Sequence, residues 1–249
     1  MEEEYPVGTV KTKEENERNV GQSLTNQNED QMTPPQVLSY LCRHLYSLGW
    51  MPGSGGAIST REGDTLYVTP SGVQKERVKA SDVFELRADG TVLSGPSNLR
   101  PSQCLPLFQL IYEVHGPGTI IHSHSMAVVM ATILYPGHWL RISHLHMIKG
   151  VPRQDTGGRR RWDEELCIPV IENEAEDKNL AGRLRVALCA QPDCPAVLIR
   201  RHGAYIWGES WDKAKTTAES IDYLCDIAVR MKQSGLSSEV PPSGEKGFE

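Results

Sequence analysis

The sequence predicts an α/β protein of the α+β type: a largely antiparallel central sheet with helices packed on both faces. Three observations lead there. Several segments repeat apolar residues at helical spacing. Short apolar runs closed by turn residues mark strands and hairpins. The two kinds do not follow a strict strand–helix–strand alternation, which a parallel doubly wound sheet would need. The chain has 249 residues, 39% of them hydrophobic, which suffices for one sizeable core.

The elements follow in order. Residues 1–32 are rich in Glu, Asn, Gln and Lys without an apolar period, and are expected to form a disordered tail. A helix should start at Thr33-Pro34-Pro35, a cap residue followed by prolines, and present Leu38, Leu41, Cys42 and Leu45 on one face until Gly49. "WMPGSGGAIST" is a glycine-dense loop running into a short strand, and "DTLYVTP" is a strand stopped by Pro70 and Gly72. "SDVFELRADGTVLSG" predicts two strands around an Asp89-Gly90 turn. Residues 102–115 place Leu105, Phe108, Leu110 and Ile111 at near-helical spacing. "GTIIHSH" is a buried strand and "SMAVVMATILY" the helix after it, ended by Pro136-Gly137.

Residues 150–164 read as an exposed charged loop, "LCIPVIEN" as a strand and "EDKNLAGRLRVALCA" as a helix. "AVLIRRHGAYIWG" is a hairpin-like pair of apolar segments around Arg200–Gly203. "SWDKAKTTAESIDYLCDIAVRMKQSG" is the longest helix, its core stripe being Ala214, Thr217, Ile221, Leu224, Cys225 and Ala228. Residues 33–236 are expected to form one domain, and 237–249 a flexible tail.

Composition narrows the function. A net charge of −6 argues against a nucleic-acid partner, which needs a basic surface. It leaves room for a small anionic substrate in a local positive pocket. The polar, acidic Met1 end has no apolar core of a secretory signal, and no run is long enough to span a bilayer. The six cysteines are scattered without a C-x-x-C pair. A cytoplasmic protein with reduced thiols is expected.

Two of the eight histidines stand one residue apart in "IIHSHSMAV". On a strand, side chains at i and i+2 share a face, so His122 and His124 are either two partly exposed polar residues or two ligands of a metal clamp. His202, beside Gly203, is either structural or a third ligand; a catalytic zinc takes three protein ligands and keeps a position open. Gly53 to Ala57, with Gly55 and Gly56, and Thr69 to Arg77, with Ser71, Gly72 and Lys75, are either ordinary turns and a solvated face or a phosphate cradle of N–H groups, hydroxyl and lysine.

The segments "GSGGAIS", "YVTPSGVQKER", "SQCLPLF", "IIHSHSMAVVMATILYPG", "MIKG", "IPVIEN" and "VLIRRHGAYIWGESWDKAKTTAESIDYLCDIAVRM" together resemble the methylthioribulose-1-phosphate dehydratases, the methionine-salvage branch of the class II aldolase/adducin superfamily. The resemblance runs from about residue 34 to 236. It implies a class II aldolase/adducin-like fold, one zinc per subunit on His122, His124 and His202, a phosphate pocket around Gly55, Gly56, Ser71, Gly72 and Lys75, and an active-site role for Cys104. It further implies a homotetramer with sites near subunit boundaries, a phosphorylated ketose as substrate, and an apoptosis-related protein partner like that of the vertebrate relatives. The implied reaction turns 5-methylthioribulose 1-phosphate into 2,3-diketo-5-methylthiopentyl 1-phosphate.

One position departs from the family. Where a glutamate acid/base is expected two residues before "IKG", this chain has His146 in "SHLHMIKG". Three readings stay open: His146 does the acid/base work, it becomes an extra metal ligand, or catalysis is weakened and the chain is an interaction protein on an enzyme frame. Cys104, Glu172 and His144 are the other candidate bases, with Glu172 also readable as a structural carboxylate. A zinc-dependent sugar-phosphate aldolase is the rival enzyme, against which the Cys104 thiol counts.

Overall fold

Helix α1 (Pro34–Ser47) begins with two prolines, whose fixed φ suits a first helical turn, and buries Leu38, Leu41, Cys42 and Leu45. Gly49, just past its end, takes a left-handed φ of 77°, the usual way for a helix to stop. The computed structural model describes residues 32–241; the tail expected at 1–32 lies, except for Met32, outside the described residues.

Strands β1 (Ala57–Glu62), β2 (Thr65–Val68), β3 (Phe84–Arg87) and β4 (Val92–Ser94) form an antiparallel meander. Its last turn is the Asp89-Gly90 turn, in which the Thr91 N–H donates to Asp89 Oδ1 at 2.8 Å. Helix α2 (Leu105–His115), β5 (Thr119–Ser123), α3 (Met126–Leu134), β6 (Trp139–Ile142), β7 (Leu166–Ile171) and α4 (Ala181–Ala190) follow. The β8 (Ala196–Ile199) and β9 (Gly203–Gly208) hairpin and the long α5 (Trp211–Gln233) complete the order.

The nine strands lie in the order β4-β3-β2-β1-β5-β9-β8-β7-β6. Every neighbouring pair is antiparallel except β7–β8, which α4 connects as a crossover. Strand β6 is absent from the sequence reading. Four residues with two half-exposed positions give too short an alternation to stand out.

Period-two geometry puts helices on both faces. Ile120 of β5 and Tyr205 and Trp207 of β9 join a core with Leu107, Phe108 and Ile111 of α2 and Leu184 and Leu188 of α4. Ile121, Ala204 and Ile206 point the other way, where α5 lies across β5 and β9. Strands β5, β8 and β9 are therefore buried along their whole length. The core stripe expected on α5 is buried at every named position.

Part of the 150–164 loop is tied down rather than exposed. Arg160 is buried, and its guanidinium and that of Arg153 reach Asp193 at 2.7 and 2.9 Å. Of the tail expected at 237–249, residues 237–241 are described. Ser238 is buried and donates to the Arg141 carbonyl at 2.8 Å, while the Ser143 N–H donates to Ser238 O at 2.8 Å.

Candidate metal centre and its cavity

The sheet register brings one edge together: His122 stands opposite Ala57 of β1 and Tyr205 of β9. The C-terminal end of β5, the start of β1 and the start of β9 therefore meet. His124 lies one residue beyond β5, yet its main-chain N–H is still held, donating to the Trp50 carbonyl at 2.7 Å.

His202 arrives on the β8–β9 turn. The left-handed residue of that turn is Arg201, with φ 59°, not the glycine. Gly203 answers a different need, because a Cβ there would stand 1.9 Å from the Ser123 carbonyl oxygen. The turn is anchored by Arg200, which donates to the carbonyls of Thr132, Tyr135, Pro136 and Gly137 and pairs with Glu172 at 2.7 Å.

The three imidazoles converge. His122 Nε2 and His124 Nε2 are 2.9 Å apart, and His202 Nε2 and His124 Nε2 3.2 Å. The opposite nitrogens set the tautomer of two rings: His122 Nδ1 faces the Ala204 carbonyl at 3.1 Å and His202 Nδ1 faces Asn173 Oδ1 at 3.0 Å. If each Nδ1–H donates to its oxygen, each Nε2 presents a lone pair inward. Burial first, then the neighbouring His124 and His202, hold the His122 pKa well below the usual imidazole value, so that ring is neutral, as a ligand must be. Two inward lone pairs facing the His124 Nε2 at this spacing make a set of nitrogens that one cation can share. Tetrahedral zinc with bonds of ~2.05 Å would set its nitrogens about 3.3 Å apart; the His202–His124 pair at 3.2 Å matches this and the His122–His124 pair at 2.9 Å is somewhat closer. Among the described residues this is the one group of His, Cys, Asp and Glu side chains placed to share an ion.

The rings open onto a cavity of about 340 Å³ lined by Ser54, Gly55, Gly56, Ser71, Gly72, Lys75, Cys104 and the three histidines. Gly55 is where the His124 ring packs: a Cβ there would lie 2.6 Å from its Nδ1. Gly56, at φ 72°, would bring a Cβ within 2.9 Å of the His122 carbonyl oxygen. Lys75 is buried, not on a solvated face, and its ammonium donates to the Ser54 and Val73 carbonyls at 2.9 and 3.0 Å. Burial draws its pKa down, while the nearby Cys42 and Cys104 thiols and Glu76 raise it. One of its three hydrogens is left for a ligand. Cys104 is buried in the cavity wall immediately before α2, its N–H donating to Ser102 Oγ at 3.2 Å.

The other candidate bases are elsewhere. His146 is exposed at the start of a 3-10 turn (His146–Gly150) packed beside α5, and does not line this cavity within its own chain. His144, at φ 56°, meets Trp162 edge-on at 5.6 Å. Glu172 is committed to Arg200. The sequence reading missed Asn173, Tyr205, Trp50 and Ser54. Tyr205 stacks on His122 with ring centres 4.3 Å apart. Only Asn173, inside "VIEN" and at the end of a predicted strand, carried a local signal.

Comparison with known proteins agrees with this geometry. Residues 36–229 match the family described as Class II Aldolase and Adducin N-terminal domain. The chain is 48% identical over 223 residues to the methylthioribulose-1-phosphate dehydratases of Gallus gallus and Homo sapiens, covering 88% of this chain and 92% of each relative. The same-named protein of Danio rerio is 48% identical over 222 residues, with the same coverage. Among solved structures, an L-fuculose 1-phosphate aldolase superposes with a TM-score of 0.67 at 21% identity, covering 84% of this chain and 90% of that one. The L-fuculose-1-phosphate aldolase of Thermus thermophilus gives 0.62 at 20% identity, covering 80% and 94%. At such identities the aldolases speak for the fold alone.

Proposed function

The chain belongs to the class II aldolase and adducin family, among the methylthioribulose-1-phosphate dehydratases, and from that premise we propose that it dehydrates 5-methylthioribulose 1-phosphate to 2,3-diketo-5-methylthiopentyl 1-phosphate in methionine salvage. The observation that carries this reading is the meeting of His122, His124 and His202 through Nε2 at the floor of a cavity that also holds Cys104 and Lys75.

His122, His124 and His202 would hold one zinc per chain. Bound there, the ion supplies Lewis acidity that makes the proton on carbon 3, next to the substrate ketone, easier to remove. The rest falls to the protein. The Lys75 ammonium, with Ser71, Gly72 and the Gly55-Gly56 backbone, holds the phosphate. Cys104 is the titratable cavity group that is neither a proposed metal ligand nor the lysine, and its thiol lies near the Lys75 ammonium. It takes the carbon-3 proton or returns one to the hydroxyl leaving carbon 4.

His146 can serve this chemistry only in a neighbouring subunit's cavity, because it is exposed on its own chain. We therefore place it at a boundary of the homotetramer. No helix among the described residues is long and apolar enough to cross a membrane, and we assign the protein to the cytoplasm, where its thiols stay reduced.

The test is diketone formation from 5-methylthioribulose 1-phosphate, followed with the purified protein before and after zinc is stripped and restored. The reading expects turnover that is lost and regained with the metal. Retro-aldol cleavage of a ketose phosphate instead would assign the chain to the aldolases.

A further inference from the structure

Three features of the structure bear on how His124 is held. First, its peptide is fixed on both sides. The His124 N–H donates to the Trp50 carbonyl at 2.7 Å, and the next residue, Ser125, donates its N–H to Ser123 Oγ at 3.2 Å. Second, Ser125 is the N-cap of α3, its oxygen accepting from the N–H groups of Ala127 and Val128. A cap of that kind needs only the oxygen. Third, the Ser125 hydroxyl proton is directed to Asp222 Oδ1 on α5, and the Trp50 side chain lies near the same carboxyl, helping to hold its pKa down.

The Asp222 carboxylate thus grips Ser125, the residue after His124, beside the Trp50 side chain, while the Trp50 carbonyl holds the His124 N–H. Asp222 itself is half-buried on a helix face made otherwise of Ala218, Ile221 and Cys225. A carboxylate is a costly occupant of such a face. Burial pushes its pKa up, the Ser125 hydrogen bond and the Trp50 side chain hold it down, and Asp226 adds a like charge.

We propose that Asp222 is a positioning residue for the metal centre: by anchoring Ser125 to α5 it fixes the His124 main chain so that the His124 ring meets those of His122 and His202. The inference rests on the reading that the three histidines hold a metal. Groups that orient metal ligands from behind change affinity by about 10–100-fold when removed. Asp222 acts one bond further back, and a loss of about tenfold is expected.

The experiment is zinc titration against a chromophoric chelator, with thermal unfolding of the metal-free protein run alongside. The variants are Asp222→Asn, Ser125→Ala and the two combined. Expected for Asp222→Asn is a metal-free unfolding temperature near that of the wild type and a zinc dissociation constant raised about tenfold. Ser125→Ala loses the cap as well, so it lowers stability and affinity together. The double variant binds zinc no more weakly than Ser125→Ala alone, because both residues act along one path. A purely structural role would give the opposite pattern, with stability lost and affinity unchanged. If wild type binds zinc and Asp222→Asn matches it, this inference is overturned while the metal reading stands. A wild type that binds no zinc overturns both. Should Asp222→Asn fail to fold, Asp222→Ser removes the carboxylate that receives the Ser125 hydroxyl and is judged by the same two outcomes.

Discussion

Replacing Gly55 by alanine adds a methyl group where the His124 ring now lies. The added Cβ would stand 2.6 Å from Nδ1 and 3.0 Å from Cε1, against an ordinary contact beginning near 3.4 Å. The ring must therefore retreat by about 0.8 Å, more than the roughly 0.5 Å within which a reactive constellation stays productive. Gly55 is not among the glycines with a left-handed φ, and the only main-chain atom the new Cβ would press is the Pro52 carbonyl oxygen at 3.2 Å, so the fold should survive with a small loss of stability. A displacement of this size is expected to cost about 10–100-fold in metal affinity and on the order of 100-fold in turnover. Zinc competition and diketone assays on Gly55→Ala, with its melting curve as control, read all three quantities. A variant with wild-type affinity and turnover would show that the ring has room to spare, and the argument from close packing would fail.

Other outcomes follow from the same structure. Changing Lys75 to Met should raise KM for the phosphorylated ketose by about 100-fold while leaving bound zinc in place, since a charged hydrogen bond to phosphate contributes about 1.5–3 kcal/mol; an unchanged KM removes Lys75 from the phosphate site. Mixing His146→Ala subunits with His122→Ala subunits should restore activity that neither has alone, if His146 reaches across a boundary; no rescue in mixed assemblies contradicts that placement. For pH, burial lowers the His115 pKa from 6.5. Stability from its neutral form is then present above pH 6.5 and lost as pH falls through the lower folded value. His115→Phe, which can keep the stack on Trp207, should flatten that acid loss in denaturant titrations, and an unaltered slope would refute it.

The three histidines of the proposed metal centre were legible because each sits where a strand ends, and strand ends are marked by composition. "GTIIHSH" and "LIRRHG" are apolar runs cut off by polar residues, and the antiparallel register then brings those ends together. Partners contributed from a distance were not legible. Trp50 and Asp222 lie far along the chain from His124, and no local pattern announces that one holds the His124 N–H and the other the Ser125 hydroxyl. Glycine was legible as a turn signal but not as a packing requirement: Gly55 and Gly203 are set by a ring and a carbonyl from other elements. The Lys75–Arg77 stretch looked like a solvated face because three polar residues in a row give no hint that the first is swallowed. His146 shows the limit of motif reasoning most plainly. Its place in "HMIKG" suggested an active-site role, while the fold leaves it on the surface of its own chain.

The centre of the account is that three imidazoles share one cation. Metal analysis of the purified protein beside its His122→Ala variant addresses this most directly. About one zinc per chain in the wild type and almost none in the variant is the predicted result. A variant that keeps its full complement of metal would contradict the ligand set and the chemistry built on it.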